Sequence, residues 1–135
     1  MTLLAGLLIG SPAAGADETK ITIPISTVRN NSGSIFVAIY QKANWLKPGR
    51  YLRAQRVRAK RGTVYATFKG LPRGQYGVAV FHDENSNNRV DTNFIGLPSE
   101  GYGFSRHSPR LRKPKFHEIA VNVAPRAYTP IRLRY

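Results

Sequence analysis

Nine consecutive residues, Asp83-Glu84-Asn85-Ser86-Asn87-Asn88-Arg89-Val90-Asp91, form the sharpest chemical pattern in the chain. Their oxygen side chains stand at the first, third, fifth and ninth places, like the front of a calcium-binding loop. Calcium takes roughly six to eight oxygens, and alternate positions of a tightly curled backbone point inward together. Asp83, Asn85, Asn87 and Asp91 would supply side-chain oxygens, and Arg89 its carbonyl. The pattern departs from such a loop twice. Asn88 holds the sixth place, where glycine usually makes the turn, although Asn tolerates a left-handed backbone. Phe94 holds the twelfth, where a bidentate Glu belongs, so calcium would be held weakly. The competing reading is an Asx-rich turn bonded to itself, with no metal.

Other chemistry is thinner. His82, His107 and His117 lack zinc-ligand spacing, and the chain has no Cys. Ser105 stands near His107, but no nucleophile-elbow pattern surrounds any serine. A hydrolase-type enzyme would have to draw on Asp83, Asp91, Glu100 and His82 as its acids and base. The stretch from His82 to Lys115 has no clear period and is rich in Asn, Gly, Ser and Pro. A loop this long inside a compact domain is usually functional or disordered, so His82, Glu100, Tyr102, Phe104 and Ser105 join the candidate site.

Charge points to a second kind of function. The chain has 21 basic and 7 acidic residues, a net charge of +14. From Lys20 to His82 it carries no acid at all. Arg50, Arg53, Arg56, Arg58, Lys60 and Arg61 crowd one expected hairpin arm, split by the pleat between two faces. Arg106, Arg110, Arg112, Lys113 and Lys115 lie at the far end of the long loop. Such a surface draws polyanions by long-range Coulomb attraction. No nucleic-acid-binding motif accompanies it; charge alone does not choose between nucleic acid, anionic lipid and acidic polysaccharide, and export would favour anionic envelope polymers or a lipid surface as partners. The bland reading is a solvated face that keeps the protein soluble.

Short segments with a two-residue period must position these groups. Ile21, Ile23 and Ile25 alternate with polar residues, and Pro24 places that strand at an edge. Ile35 to Tyr40, Tyr51 to Ala59, Thr63 to Phe68, Tyr76 to Phe81, Phe116 to Val123 and Tyr128 to Leu133 bring the expected number to about seven. Tyr76 to Phe81 is apolar on both faces and reads as a central strand. Only Gln41 to Leu46 suits a turn of helix. The expected fold is all-β: a single antiparallel seven-stranded sandwich with one long loop.

Leu3 to Ile9 form an apolar run too short to span a bilayer as a helix, and Ala14-Gly15-Ala16 precede the first acids, Asp17 and Glu18. This is the shape of a secretory signal cleaved after Ala16, without the usual basic start. Residues 17–135 would then be one exported domain, periplasmic or extracellular, without a transmembrane span.

The runs Phe68-Lys69-Gly70-Leu71-Pro72-Arg73-Gly74-Gln75-Tyr76, Val78-Ala79-Val80-Phe81-His82-Asp83-Glu84-Asn85 and Asp91 through Ser105 resemble the bacterial exported family called domain of unknown function 2141. Its members usually carry Asn-Gly-Asn-Gly where this chain has Asn85-Ser86-Asn87-Asn88. The resemblance implies no activity. The Gly-Leu-Pro-x-Gly-x-Tyr unit is also similar to transthyretin-like and carboxypeptidase-regulatory-like sandwiches, a likeness of fold alone. The expected function is a non-enzymatic binding or accessory module of the cell envelope with a calcium-ordered loop. The alternatives are the hydrolase and the polyanion binder.

Overall fold

Isoleucines at every second position bury one face of the first strand, β1 (Lys20–Val28), where Ile21, Ile23 and Ile25 are fully enclosed. A computed structural model describes residues 18–88, 100–106 and 112–135. In it β1 pairs antiparallel with β4 (Gly62–Lys69) and, on its other side, parallel with β8 (Arg126–Tyr128) and then β9 (Ile131–Arg132). The second sheet runs β3 (Arg53–Arg58), β2 (Ser34–Tyr40), β5 (Gly74–Asp83), β6 (Tyr102–Phe104), and β7 (Val121–Val123) pairs the start of β5. Ile21, Ile23, Ile25, Val64 and Phe68 from the first sheet share one apolar core with Ile35, Val37, Ile39, Val78 and Val80 from the second. The fold is therefore all-β, two sheets facing each other across that core.

β5 is central, as its two apolar faces imply. It lies between β2 and the short strands β6 and β7, with Val78 opposite Ile39 and Val80 opposite Val37. The pleat sends Tyr76, Val78, Val80 and His82 inward, and Gly77, Ala79, Phe81 and Asp83 to the outer face.

Several expectations need correction. The described residues form nine strands rather than seven, and the pairings of β8 and β9 with β1 are parallel. Phe116 to Val123 is a helical turn, α1 (Phe116–Ile119), followed by the short β7. Tyr128 to Leu133 is broken into β8 and β9 by Thr129-Pro130, and the long loop contains β6. The expected hairpin at Lys60-Arg61-Gly62 is a crossing between sheets: β3 pairs with β2, and β4 with β1. Ala59 is buried at the crossing, and its N–H donates to the Gly33 carbonyl at 3.2 Å. The helical turn near Gln41 to Leu46 is present as a 3-10 turn at Lys42–Asn44.

Pro24 does not mark an edge. β1 has neighbours on both sides, and the proline sits where one neighbour gives way to the next. Thr129 N–H donates to the Thr22 carbonyl at 3.0 Å. A parallel ladder would next need an N–H from residue 24. Proline has none, so the ladder breaks there and resumes at Ile25 opposite Ile131.

Candidate functional site

The end of β5 gathers the polar groups that the sequence singled out. His82 is fully buried, because its place in the pleat is an inward one opposite Ile35. Its Nε2 lies 2.6 Å from the Ser32 carbonyl and its Nδ1 2.7 Å from the Tyr135 hydroxyl. A carbonyl only accepts, so Nε2–H donates to Ser32, and Nδ1 pairs with the Tyr135 hydroxyl. Both nitrogens are thereby occupied. The turn that brings Ser32 close requires Gly33, at φ +69, where a Cβ would collide with the Asp83 carbonyl.

Asp83, also fully buried, ties the following loop to itself. Asn87 N–H donates to Oδ1 at 3.2 Å and Asn88 N–H to Oδ2 at 2.9 Å. Asn87 N–H also reaches Asn85 Oδ1 at 3.2 Å. The curl needs left-handed backbone at Ser86 (φ 55) and at Asn88 (φ 61). Arg56, on the neighbouring face of β3, places Nη1 3.4 Å from Asp83 Oδ2 and 3.0 Å from Ser34 Oγ, with its guanidinium 4.9 Å from the centre of the Phe36 ring.

Glu84 belongs to a second knot. Arg29 donates through Nε (2.8 Å) and Nη2 (2.7 Å) to its two oxygens, and Asn30 Nδ2 donates at 2.7 Å. The Arg29 guanidinium beside it holds the Glu84 carboxyl at about 2. Arg29 also lies 4.3 Å over the Tyr135 ring, and its backbone N–H donates to the Tyr135 hydroxyl at 3.1 Å. Burial pushes the Tyr135 phenol up. Glu100, 7% exposed, accepts the Glu84 N–H at 3.0 Å through Oε2.

The remaining expected residues separate. Tyr102 and Phe104 lie on β6 with their rings 5.9 Å apart, on the outer face of the five-stranded sheet, and Phe104 meets Trp45 at 5.9 Å. Ser105 is buried; its Oγ donates to the Ile119 carbonyl at 2.6 Å and accepts the Val78 N–H at 3.1 Å. Arg56 and Arg58 share the outer face, and Arg53 takes the opposite phase, donating to the Lys69 carbonyl at 2.9 Å. Arg50, Lys60 and Arg61 are exposed in the flanking turns, as are Lys113 and Lys115 near α1. Arg106 donates to the Ala120 carbonyl, and Arg112 grips Glu118 with two bonds of 2.9 and 2.7 Å. Arg89, Asp91, Arg110 and His107, and the leader through Ala16, lie outside the described residues.

Sequence reasoning missed Arg29, Asn30 and Tyr135. No local signal points to them, since Arg29 stands 55 residues from Glu84 and Tyr135 stands 53 from His82. Among the described residues no helix is long and apolar enough to cross a membrane, and no group of three or more His, Asp or Glu is placed to hold a metal.

No curated protein and no solved structure matches the chain. A family model matches residues 23–130, which include β5, the loop that follows it and β6, and so all of the site described above apart from Tyr135. The chain belongs to that family, described as an uncharacterized protein conserved in bacteria, DUF2141.

Proposed function

We propose that the protein is an exported, non-enzymatic binding or accessory module of the bacterial cell envelope, on a transthyretin-like sandwich. The observation that carries this reading is the state of the would-be catalytic groups. Both His82 nitrogens, both Asp83 oxygens and the Ser105 hydroxyl are committed to buried internal bonds. Such bonds hold the loop and the ends of β5 in place, and they commit His82, Asp83 and Ser105 to the fold rather than to a substrate. Anionic envelope polymers or a lipid surface fit the +14 charge as partners. The test is Ser105→Ala and His82→Gln in the mature chain, which should lower the melting midpoint and abolish no turnover. A hydrolytic activity lost in either variant at an unchanged midpoint would overturn the reading. Export is checked in the same preparation by mass spectrometry, which should find Asp17 at the N-terminus; Met1 retained in the cytoplasm contradicts it.

The curl at Asp83 favours a second reading, a calcium-ordered loop built from Asp83, Asn85, Asn87, the Arg89 carbonyl and Asp91. Asn88, at φ 61, takes the left-handed turn that glycine makes in such loops. Two carboxylates without a bidentate Glu, beside Arg56, suit a dissociation constant on the order of 10⁻⁴–10⁻³ M. At ten times that concentration calcium would add about 1.4 kcal/mol of stability. Melting in calcium against chelator at matched ionic strength should show a rise that Asp91→Ala removes. Identical midpoints in the two buffers would leave the loop as a self-bonded turn.

A further inference from the structure

The outer face of the four-stranded sheet carries a pattern that the sequence hides. Register places Lys69 of β4 directly across from Lys20 of β1, and Lys20 directly across from Arg126 of β8. Three cations therefore stand in one row across three neighbouring strands, at a strand spacing of about 4.8 Å. Like charges directly opposite one another in a sheet are destabilising, so folding alone gives no reason for the row. No acid occurs in β1, β4, β8 or β9. The ion pairs among the described residues join Arg29 to Glu84, Arg56 to Asp83 and Arg112 to Glu118, all on other segments. Glu18, just before β1, takes part in none of them.

The next row on this face is Thr67, Thr22 and Tyr128, followed by Tyr65 opposite Pro24. Tyr65 is 64% exposed and Tyr128 70%, the most exposed of the large hydrophobic side chains among the described residues. A shallow, open depression lies between Lys20, Thr22, Arg126, Ala127 and Tyr128. Beyond Lys69 the strip turns the sheet edge, because Arg53 Nη1 donates to the Lys69 carbonyl. The strip is linear, narrow and of one sign.

We propose that this face binds a chain of acidic sugars, an anionic polysaccharide. The cation row takes the carboxylates, the threonine hydroxyls bond ring hydroxyls, and the two tyrosines give their faces to the apolar faces of sugar rings. Such a partner engages every kind of group that the face presents. A lipid surface would leave the threonine row unused and calls for protruding apolar side chains. A single strand of nucleic acid would set phosphates on the cations and bases on the tyrosines, but it brings fewer ring hydroxyls to the threonine row. The inference rests on the binding-module reading and goes beyond it by naming the face and the partner.

Calorimetric titration of the full chain with polygalacturonate at physiological salt tests it, with neutral dextran, oligothymidylate and phosphatidylglycerol vesicles as comparisons. The triple variant Lys20→Gln/Lys69→Gln/Arg126→Gln should bind polygalacturonate about tenfold more weakly and melt no lower than wild type. Lys42→Gln/Lys47→Gln/Arg134→Gln removes the same charge elsewhere and should cost less than about threefold. Tyr65→Ala/Tyr128→Ala, at positions too exposed to matter for folding, should weaken binding by about threefold with an unchanged salt dependence. Equal losses in the two triple variants would overturn the face, since net charge would then suffice. Unchanged binding in the tyrosine pair, or tighter binding of oligothymidylate or vesicles through the same residues, would overturn the polysaccharide. The binding-module reading fails differently, by turnover of a substrate with no polymer or vesicle bound.

Discussion

Phe36 and Phe81, on the outer side of the five-stranded sheet, pack at 5.3 Å, and Tyr51 meets Phe36 edge-on at 5.7 Å. Tyr40, Phe104 and Phe116 close around Trp45, whose Nε1–H donates to the Pro114 carbonyl at 2.8 Å. Tyr65 and Tyr128, on the outer side of the four-stranded sheet, stand largely in solvent. Both faces obey the same two-residue alternation. They differ because the segments carrying Trp45 and α1 fold back over one of them, and no described segment covers the other. An aromatic residue on a sheet thus contributes to stability only where something else buries it. Where nothing does, its surface is available to a partner.

The comparison can be broken most severely at Trp45. Trp45→Ala removes the ring that joins Tyr40, Phe104 and Phe116, and should cost about 3 kcal/mol in chemical denaturation, at the low end of large aromatic truncations because the ring is only partly buried. A loss below about 1 kcal/mol would mean that the aromatic face is not a second core. Next comes the knot beyond β5. Glu84 is held at about 2, below its ordinary value of 4.5, so its contribution is present above pH 4.5 and is lost as pH falls toward 2. Glu84→Gln should therefore destabilise by about 1 kcal/mol at neutral pH, as expected for a bidentate, partly exposed pair. The difference from wild type should vanish near pH 2, followed by denaturation midpoints across that range. An unchanging gap would assign the effect to something other than the Arg29 pair. The smallest effect belongs to the bare face. Tyr128→Ala should change stability by less than about 0.5 kcal/mol, and a larger loss would show that the face is covered.

Parts of this arrangement were legible in advance. The isoleucine alternation of β1 and the doubly apolar run of β5 named core residues correctly, because facing is a local property of an extended chain. The Asx-rich run after His82 was visible as a turn or loop for the same reason. That Asp83 would meet Arg56 was not visible, since 27 residues separate them and the chain passes through the other sheet, as β4, before β5 returns to the sheet of β3. The break of the last segment into β8 and β9 was hidden as well, because it depends on Pro24 of a strand far away in sequence.

Composition and periodicity by themselves determined that this is an all-β chain with a strongly basic surface, and that Ile21, Ile23 and Ile25 of β1 and Val78 and Val80 of β5 face the core. Only the tertiary structure decided which strand lies beside which. Backbone donors and acceptors are alike along every strand, so they favour pairing without choosing a partner. The choice is made by closing the loops and filling one core with both sheets. That choice carries β3 and β4 into different sheets, sets Arg29 on Glu84 and Tyr135 on His82, and draws Lys20, Lys69 and Arg126 into one row.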